Sequence, residues 1–207
     1  PQLRNFESKK FKELRKIYQD FSIEDAKAIK EIEKVTNHDV KAVEYFIKEK
    51  FDALKLSDHK EFIHFGLTSQ DINNTAIPLS IKDFMEEVYI PEINNILDAI
   101  NTKCKELKNI AIIARTHGQP ASPTKLGKEF KVFWTRVTNQ LSTLKNIPNS
   151  AKFAGAVGNF NAHKVAYPNI DWKKFGKNFI EKELSLNYSF PTTQIEHYDS
   201  FAALCDN

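Results

Sequence analysis

The sequence predicts an all-α fold built on long helices. Apolar residues recur at steps of three and four through most of the 207 residues, which is the spacing of one helix face. Glycine is scarce, with six residues in the chain, and no window shows the repeated alternation of β-branched and aromatic residues that indicates a sheet. These observations favour a bundle of helices over a mixed or all-β architecture.

A small N-terminal helical domain is predicted over residues 1–65. Ser22 followed by Asp25 has the pattern of a helix cap, and the helix that it starts should reach toward Val35. Asp39 or a neighbour can cap the next helix, whose apolar residues again follow helical spacing. This region therefore contains at least two amphipathic helices.

A domain made of a long-helix bundle is predicted over residues 66–207. The segment 74–109 has one continuous helical pattern, which Pro91 should kink or divide. A second long pattern begins near Leu126 and ends before Pro148. Helices of about 20 residues are about 30 Å long, and their apolar stripes are expected to form a core or a subunit interface.

Composition excludes several classes of protein. Thirty basic and 27 acidic residues give a net charge of +3 without the one-sided basic stripe of a nucleic-acid-binding protein. No apolar run reaches the roughly 18 residues of a membrane span, and we expect a cytoplasmic protein. Cys104 and Cys205 form no Cys-x-x-Cys or Cys/His cluster, so no metal site is predicted.

The two ends of the sequence suggest a truncated chain. It starts at Pro1 without a methionine, and it stops at Asn207 without a glycine or proline stop signal after the last amphipathic stretch. We therefore expect the sequence to be a fragment of a longer protein.

Three polar clusters lie where helical patterns end. His117 lies in a turn bounded by glycine and proline (residues 115–120), His38 is followed by Asp39, and the run 68–71 offers two hydroxyls near a helix start. Taken alone, each cluster is also compatible with an ordinary role as a surface turn or a helix cap. Serine hydrolase, zinc protease and calcium-loop motifs are absent from the sequence, which leaves acid–base chemistry on an anionic substrate.

Several longer motifs identify a resemblance when they are taken together. They are Thr36-Asn37-His38-Asp39-Val40-Lys41-Ala42-Val43-Glu44-Tyr45-Phe46, Phe62-Ile63-His64-Phe65, Thr68-Ser69-Gln70-Asp71-Ile72-Asn73-Asn74, Arg115-Thr116-His117-Gly118-Gln119-Pro120-Ala121, Gly155-Ala156-Val157-Gly158-Asn159 and Thr192-Thr193-Gln194-Ile195-Glu196. In this order they resemble the adenylosuccinate lyase family, a branch of the fumarase/aspartase superfamily. The resemblance spans nearly the whole chain, and Thr-His-Gly-Gln-Pro distinguishes this branch from fumarases and argininosuccinate lyases.

The resemblance implies a fold, a reaction and an assembly. The fold would be the fumarase/aspartase type of long-helix bundle. The reaction would be β-elimination of fumarate from adenylosuccinate to give AMP, and from the succinylated aminoimidazole carboxamide ribotide, without a cofactor. The protein would be a homotetramer with active sites shared between subunits.

The resemblance also implies roles for individual residues. His117 would be the general acid that protonates the leaving nitrogen. The residues expected to contact substrate are Asn37, His38, Asp39, Thr68, Ser69, Thr116 and Gln194, with Thr68 and Ser69 holding a succinyl carboxylate. His163 is expected to serve structure.

Departures from the family pattern limit what these residues can do alone. The family's loop Ser-Ser-x-Met-Pro-x-Lys-x-Asn-Pro, which carries the general-base serine, and its Asp-Gly-Arg-Tyr segment are not in the 207 residues. We therefore expect this chain alone to be inactive. His197 lies in Glu-His-Tyr-Asp instead of Glu-Pro-His-Asp, so it receives no role. Two alternatives stay open: another fumarate-releasing lyase of the superfamily, or an inactive helical scaffold.

Overall fold

The computed structural model describes residues 6–207, and residues 1–5 of the predicted N-terminal domain lie outside the described residues. The helices are α1 (Lys10–Gln19), α2 (Ile23–Thr36), α3 (Asp39–Ala53), α4 (Ser69–Phe84), α5 (Ile90–Glu106), α6 (Leu126–Lys145), α7 (Asn161–Ala166), α8 (Trp172–Asn178) and α9 (Asp199–Asp206). The strands are β1 (Ala111–Thr116), β2 (Gln119–Lys125), β3 (Ser150–Ala151) and β4 (Asn187–Tyr188). Among residues 6–207, no helix combines the length and the apolarity needed to cross a bilayer.

The described residues form two compact units. The first unit contains residues 6–73, Phe153–Gly176 and Pro191–Ile195, and the second contains Asn74–Lys152, Lys177–Phe190 and Glu196–Asn207. The sequence placed the domain boundary at residue 65, whereas the first unit also includes residues 66–73 and two later segments, Phe153–Gly176 and Pro191–Ile195. The first of these segments contains residues 154–158, which are rich in glycine and alanine and are called the small-residue loop below, and the second contains Gln194.

In the first unit, local signals determine where the helices begin. Ser22 and Asp25 form a reciprocal capping box at the start of α2, as predicted. Hydrogen bonds from Lys50 and from Ser22 lower the pKa of Asp25 to about 2, and the Lys50 contact of 2.8 Å links α2 to α3. Phe46 of α3 is also buried, and its ring packs edge-to-face against that of Phe21, which lies two residues before α2.

In the second unit, the core lies between the long helices. Met85, Leu97, Leu141 and Leu144 are buried together. Because these residues come from the predicted long helical segments, the all-α class and its long-helix frame are confirmed. Strand β3 adds only a two-residue parallel pairing with β4.

The first long segment is divided near Pro91, as the sequence predicts. A π-helical stretch at Met85–Tyr89 separates α4 from α5, and Pro91 follows within the first two residues of α5. Proline cannot donate a backbone hydrogen bond to the preceding turn, and a π-helical stretch is one way in which a helix accommodates such an interruption.

The segment between α5 and α6 differs from the prediction. The sequence predicts a simple turn here, whereas β1 and β2 form an antiparallel hairpin with an irregular register between Ile113 and Arg115. Two prolines, Pro120 and Pro123, lie in β2. A two-stranded hairpin tolerates prolines that would disrupt the centre of a sheet, and for this reason strand propensity failed to identify it.

Candidate active site

The turn between α2 and α3 carries three of the predicted substrate-binding residues. Asn37 ends α2 in the left-handed conformation, with φ of 51°, and its N–H donates to the Glu33 carbonyl at 2.8 Å. His38 caps α3, and Asp39 is the first residue of that helix. All three side chains are exposed, so they are available to a ligand.

His38 joins this turn to the start of α4. Its Nδ1 accepts a hydrogen bond from the Lys41 backbone N–H at 3.3 Å, and its Nε2 lies 3.1 Å from the Ser69 hydroxyl. Because the Lys41 N–H is a fixed donor, the neutral ring carries its proton on Nε2 and donates to Ser69. The Ser69 hydroxyl proton can then be donated to an anionic oxygen.

Protonation of His38 would change this arrangement. The Asp39 carboxylate lies 3.2 Å from Nδ1, so it can form an ion pair with a charged imidazolium. The same turn borders an open groove of about 680 Å³, and its other lining residues are Lys30, Glu33 and Lys34. The groove therefore presents both cationic and hydrogen-bonding groups beside His38.

Thr68 and Ser69 lie at the start of α4 and are partly buried. The Asp71 carboxylate accepts a hydrogen bond from the Thr68 N–H at 2.9 Å, which is one half of a capping box. The ordinary capping role that the sequence left open for this run is thus present. The first turn of a helix also favours negative charge, which suits a carboxylate near the Ser69 hydroxyl.

Gln194 lies on the irregular segment Pro191–Ile195 of the first unit and is exposed. This segment packs closely against the small-residue loop. A Cβ placed on Gly158 would lie 2.1 Å from the Thr192 carbonyl oxygen. The backbones of the two segments therefore lie very close together at Gly158 and Thr192, two residues before Gln194.

Thr116 and His117 lie in the second unit, at the tip of the β1–β2 hairpin. Thr116 pairs with Gln119, so His117 and Gly118 are the two turn residues. Both have positive φ, 50° for His117 and 78° for Gly118, as a type I′ turn requires. His117 is exposed at the tip of the hairpin.

His163 belongs to an aromatic cluster in the first unit, as its expected structural role requires. It is 1% exposed and its ring centre lies 4.7 Å from that of Trp172. Burial lowers the pKa of His163 below its ordinary value, although the charge of Asp71 opposes the shift. The imidazole is therefore neutral at pH 7, which agrees with its surroundings of Phe65, Phe153 and Phe160 rings.

Acidification should destabilise the first unit through His163. Below about pH 6.5 the unfolded chain binds a proton at this residue while the folded chain does not, so the free energy of unfolding falls as the pH is lowered toward the folded pKa. We expect this loss of stability to begin as the pH falls through the ordinary histidine range, and we expect it to be absent in His163→Gln. Urea unfolding followed by Trp172 fluorescence, in a Trp134→Phe background, measures it; equal pH dependence in both proteins would contradict the prediction.

Sequence patterns missed two sets of polar contacts. Asp71 is 1% exposed and binds backbone N–H groups of the small-residue loop, although its position suggested only a cap. In the second unit, the Asn74 side-chain amide Nδ2 donates to the Tyr198 hydroxyl, and the Asn74 side-chain oxygen Oδ1 accepts from the Glu196 N–H at 2.9 Å. Polar residues in Asn-Asn and Glu-His-Tyr-Asp runs gave the only sequence signal for this second set.

Within the described part of the chain, no group of three histidine, cysteine or acidic side chains could hold a metal ion.

Relatives with assigned names cover nearly all of this chain. An adenylosuccinate lyase of Dictyostelium discoideum is 54% identical over 200 residues, which are 94% of this chain and 43% of the relative. Adenylosuccinate lyases of Vibrio cholerae and Escherichia coli K12 are 49% and 44% identical, over 89% and 92% of this chain and 41% and 42% of their own lengths. The chain thus spans less than half the length of these relatives.

Solved structures share the fold. A fumarate lyase from Mesorhizobium matches 99% of this chain and 46% of its own chain, with a TM-score of 0.77 and 17% identity. A 3-carboxy-cis,cis-muconate lactonizing enzyme from Pseudomonas putida matches 90% of this chain and 41% of its own, with a TM-score of 0.64 and 16% identity. The fumarase/aspartase type of fold is therefore confirmed.

A family model described as lyase matches residues 2–206. Together with the relatives, this match confirms the resemblance that the motifs indicate. The chain belongs to this lyase family.

Proposed function

We propose that this chain is the N-terminal and central part of an adenylosuccinate lyase, which eliminates fumarate from adenylosuccinate and from the succinylated aminoimidazole carboxamide ribotide. The observation that carries the proposal is the hydrogen bond between His38 and Ser69. It joins two motifs that are distant in sequence into one polar site, in a chain that is 54% identical to a relative named for this activity.

The reaction needs stabilisation of negative charge on a carboxylate. Removing a proton from the neighbouring carbon places additional charge on the succinyl carboxylate, and donors aimed at it lower the barrier. In our proposal Thr68 and the Ser69 hydroxyl supply these donors. Because His38 Nε2 donates to the Ser69 oxygen, the Ser69 hydroxyl proton remains available to the substrate. Asn37, Asp39, Thr116 and Gln194 make further contacts to the nucleotide or the succinyl group.

The reaction also needs an acid and a base. We assign the acid to His117, whose exposed imidazole can protonate the leaving nitrogen. The base, a serine in the resembling enzymes, belongs to a loop motif that is not among these 207 residues. No cofactor takes part, and the 207-residue chain alone should be inactive.

The proposed assembly is a cytoplasmic homotetramer with shared active sites. It is supported by large apolar side chains on α5 and α6 that the single chain leaves exposed, such as Ile96 at 50% and Phe133 at 58%. A monomer whose long apolar helix faces are partly exposed to solvent would tend to associate with other copies of itself.

A chimera tests the function. This chain replaces the matching 200 residues of the Dictyostelium enzyme, so that the relative supplies the rest of its length. We expect fumarate release from adenylosuccinate within about tenfold of the parent rate. The 207-residue chain alone should release none.

The parent enzyme is the positive control, and argininosuccinate is the substrate that tests the alternative lyase. Gel filtration and circular dichroism must first confirm that the chimera folds and assembles. A folded, assembled chimera without turnover of adenylosuccinate would contradict the proposed function, and preference for argininosuccinate would favour the alternative.

A further inference from the structure

Asp71 is a buried carboxylate that binds the backbone of two separate segments. Its Oδ2 accepts from the Thr68 N–H at 2.9 Å, and its Oδ1 accepts from the Ala154 N–H at 2.9 Å. The Gly155 N–H donates to both oxygens, at 3.1 and 3.2 Å. Hydrogen bonds to a charged, buried acceptor are stronger than those between neutral groups, so these bonds fix the segments firmly.

The two segments lead directly to the proposed substrate contacts. On one side, Thr68 and Ser69 begin α4. On the other side, the loop that starts at Ala154 reaches Gly158, which lies against the Thr192 carbonyl in the segment that carries Gln194. All of these residues belong to the first unit. The Asp71 carboxylate therefore connects the start of α4 to the loop that packs against the segment carrying Gln194.

We propose that Asp71 is a positioning residue: it holds the Thr68–Ser69 turn and the 154–158 loop in the one arrangement in which Ser69 and Gln194 engage the substrate. This inference rests on the proposed function, since it concerns how the same site binds the succinyl group. Asp71 is buried beneath the backbone that it binds, so it acts through Ser69 and does not touch the substrate. A small displacement of a binding group can lower the rate or the affinity by a large factor. The hydrogen bonds of Asp71 should therefore affect function.

Asp71→Asn provides the test in the chimera. The amide keeps the size of the side chain but replaces one acceptor oxygen by a donor, which opposes the N–H groups of Thr68, Ala154 and Gly155. We expect KM for adenylosuccinate to rise roughly 10- to 100-fold because binding of the succinyl carboxylate is weakened, and we expect kcat to fall as well because the same donors stabilise the charge formed in the reaction. In the 207-residue chain, amide exchange at these three N–H groups should accelerate.

A double-mutant cycle separates positioning from general loss of stability. If Asp71 acts through Ser69, Asp71→Asn should raise KM far less in a Ser69→Ala background than in the unsubstituted chimera. Effects that multiply instead would overturn the proposal, as would a KM within about twofold of the unsubstituted chimera. Unchanged exchange at Thr68, Ala154 and Gly155 would overturn it as well.

Glu44→Gln is the matched control. Glu44 is another buried carboxylate of the first unit, at 5% exposure, and it pairs with Lys41 and Lys48 side chains at 2.6 and 3.0 Å. Glu44→Gln should lower the stability of the protein without raising KM for adenylosuccinate. A rise in KM equal to that of Asp71→Asn would contradict the specific role of Asp71. A chimera with the unmodified chain that releases no fumarate contradicts the proposed function itself, before any variant is compared.

Discussion

Replacing His117 by asparagine in the chimera is expected to lower kcat by roughly one hundred- to ten thousand-fold, because the substitution removes a general acid. Asparagine is chosen because it tolerates the left-handed backbone conformation of His117. His117 has φ of 50° and precedes Gly118 in a two-residue hairpin turn, and Asn-Gly is the most favourable pair for a type I′ turn. The hairpin should therefore be at least as stable in the variant as in the unsubstituted protein.

Two measurements separate chemistry from folding in this experiment. Initial rates of fumarate release give kcat, and thermal unfolding of the same preparation gives the stability. His197→Asn is the control, since it makes the same exchange at another exposed histidine of the second unit. If His117→Asn kept kcat within about threefold of the unsubstituted chimera, the assignment of the acid would be wrong.

Features that depend on neighbouring residues could be predicted from the sequence. Helix starts are such features, because the cap at Ser22 and Asp25 involves residues three apart. The division of the long helix near Pro91 is another, since proline restricts its own backbone and that of the preceding turn. The long frame of α5 and α6 followed from apolar spacing alone.

The hairpin that carries His117 could not be predicted in this way. Its second strand contains Pro120 and Pro123, and its first strand alternates weakly. Pairing between the two strands overrides these poor intrinsic preferences, and only the His-Gly sequence of the turn gave a local signal. The sequence therefore identified His117 as a turn residue without identifying the element that presents it.

The candidate site shows the same limit. Motifs placed Thr68, Ser69 and Gln194 among the substrate contacts, and these residues occur where helices begin or in irregular backbone. Their supports are not local, since Asp71 binds a loop 83 residues later in the chain. The sequence indicated only that the loop was rich in small residues. Only the folded structure shows which backbone atoms lie against its glycines, such as the Thr192 carbonyl oxygen beside Gly158.

Gly158→Ala should be among the most destabilising single substitutions in the first unit. The added Cβ would lie 2.1 Å from the Thr192 carbonyl oxygen, and Gly158 has φ of 79°, which disfavours any side chain. Because the obstructing atom belongs to the backbone, the Pro191–Ile195 segment would have to move. We expect the free energy of unfolding to fall by about 2–4 kcal/mol, measured by urea unfolding with Trp172 fluorescence in the Trp134→Phe background.

Gly155→Ala in the same loop separates the steric effect from the backbone effect. Gly155 has a nearly identical φ of 77°, but its Cβ would lie 3.4 Å from the nearest atom, the Gly66 carbonyl oxygen. This variant should lose only about 1 kcal/mol, the approximate cost of a left-handed alanine. Equal losses at the two glycines would mean that contact with Thr192 contributes little. A larger loss at Gly158, with fumarate release in the chimera reduced only there, would indicate that Gly158 must lack a side chain for the Gln194 segment to reach the substrate.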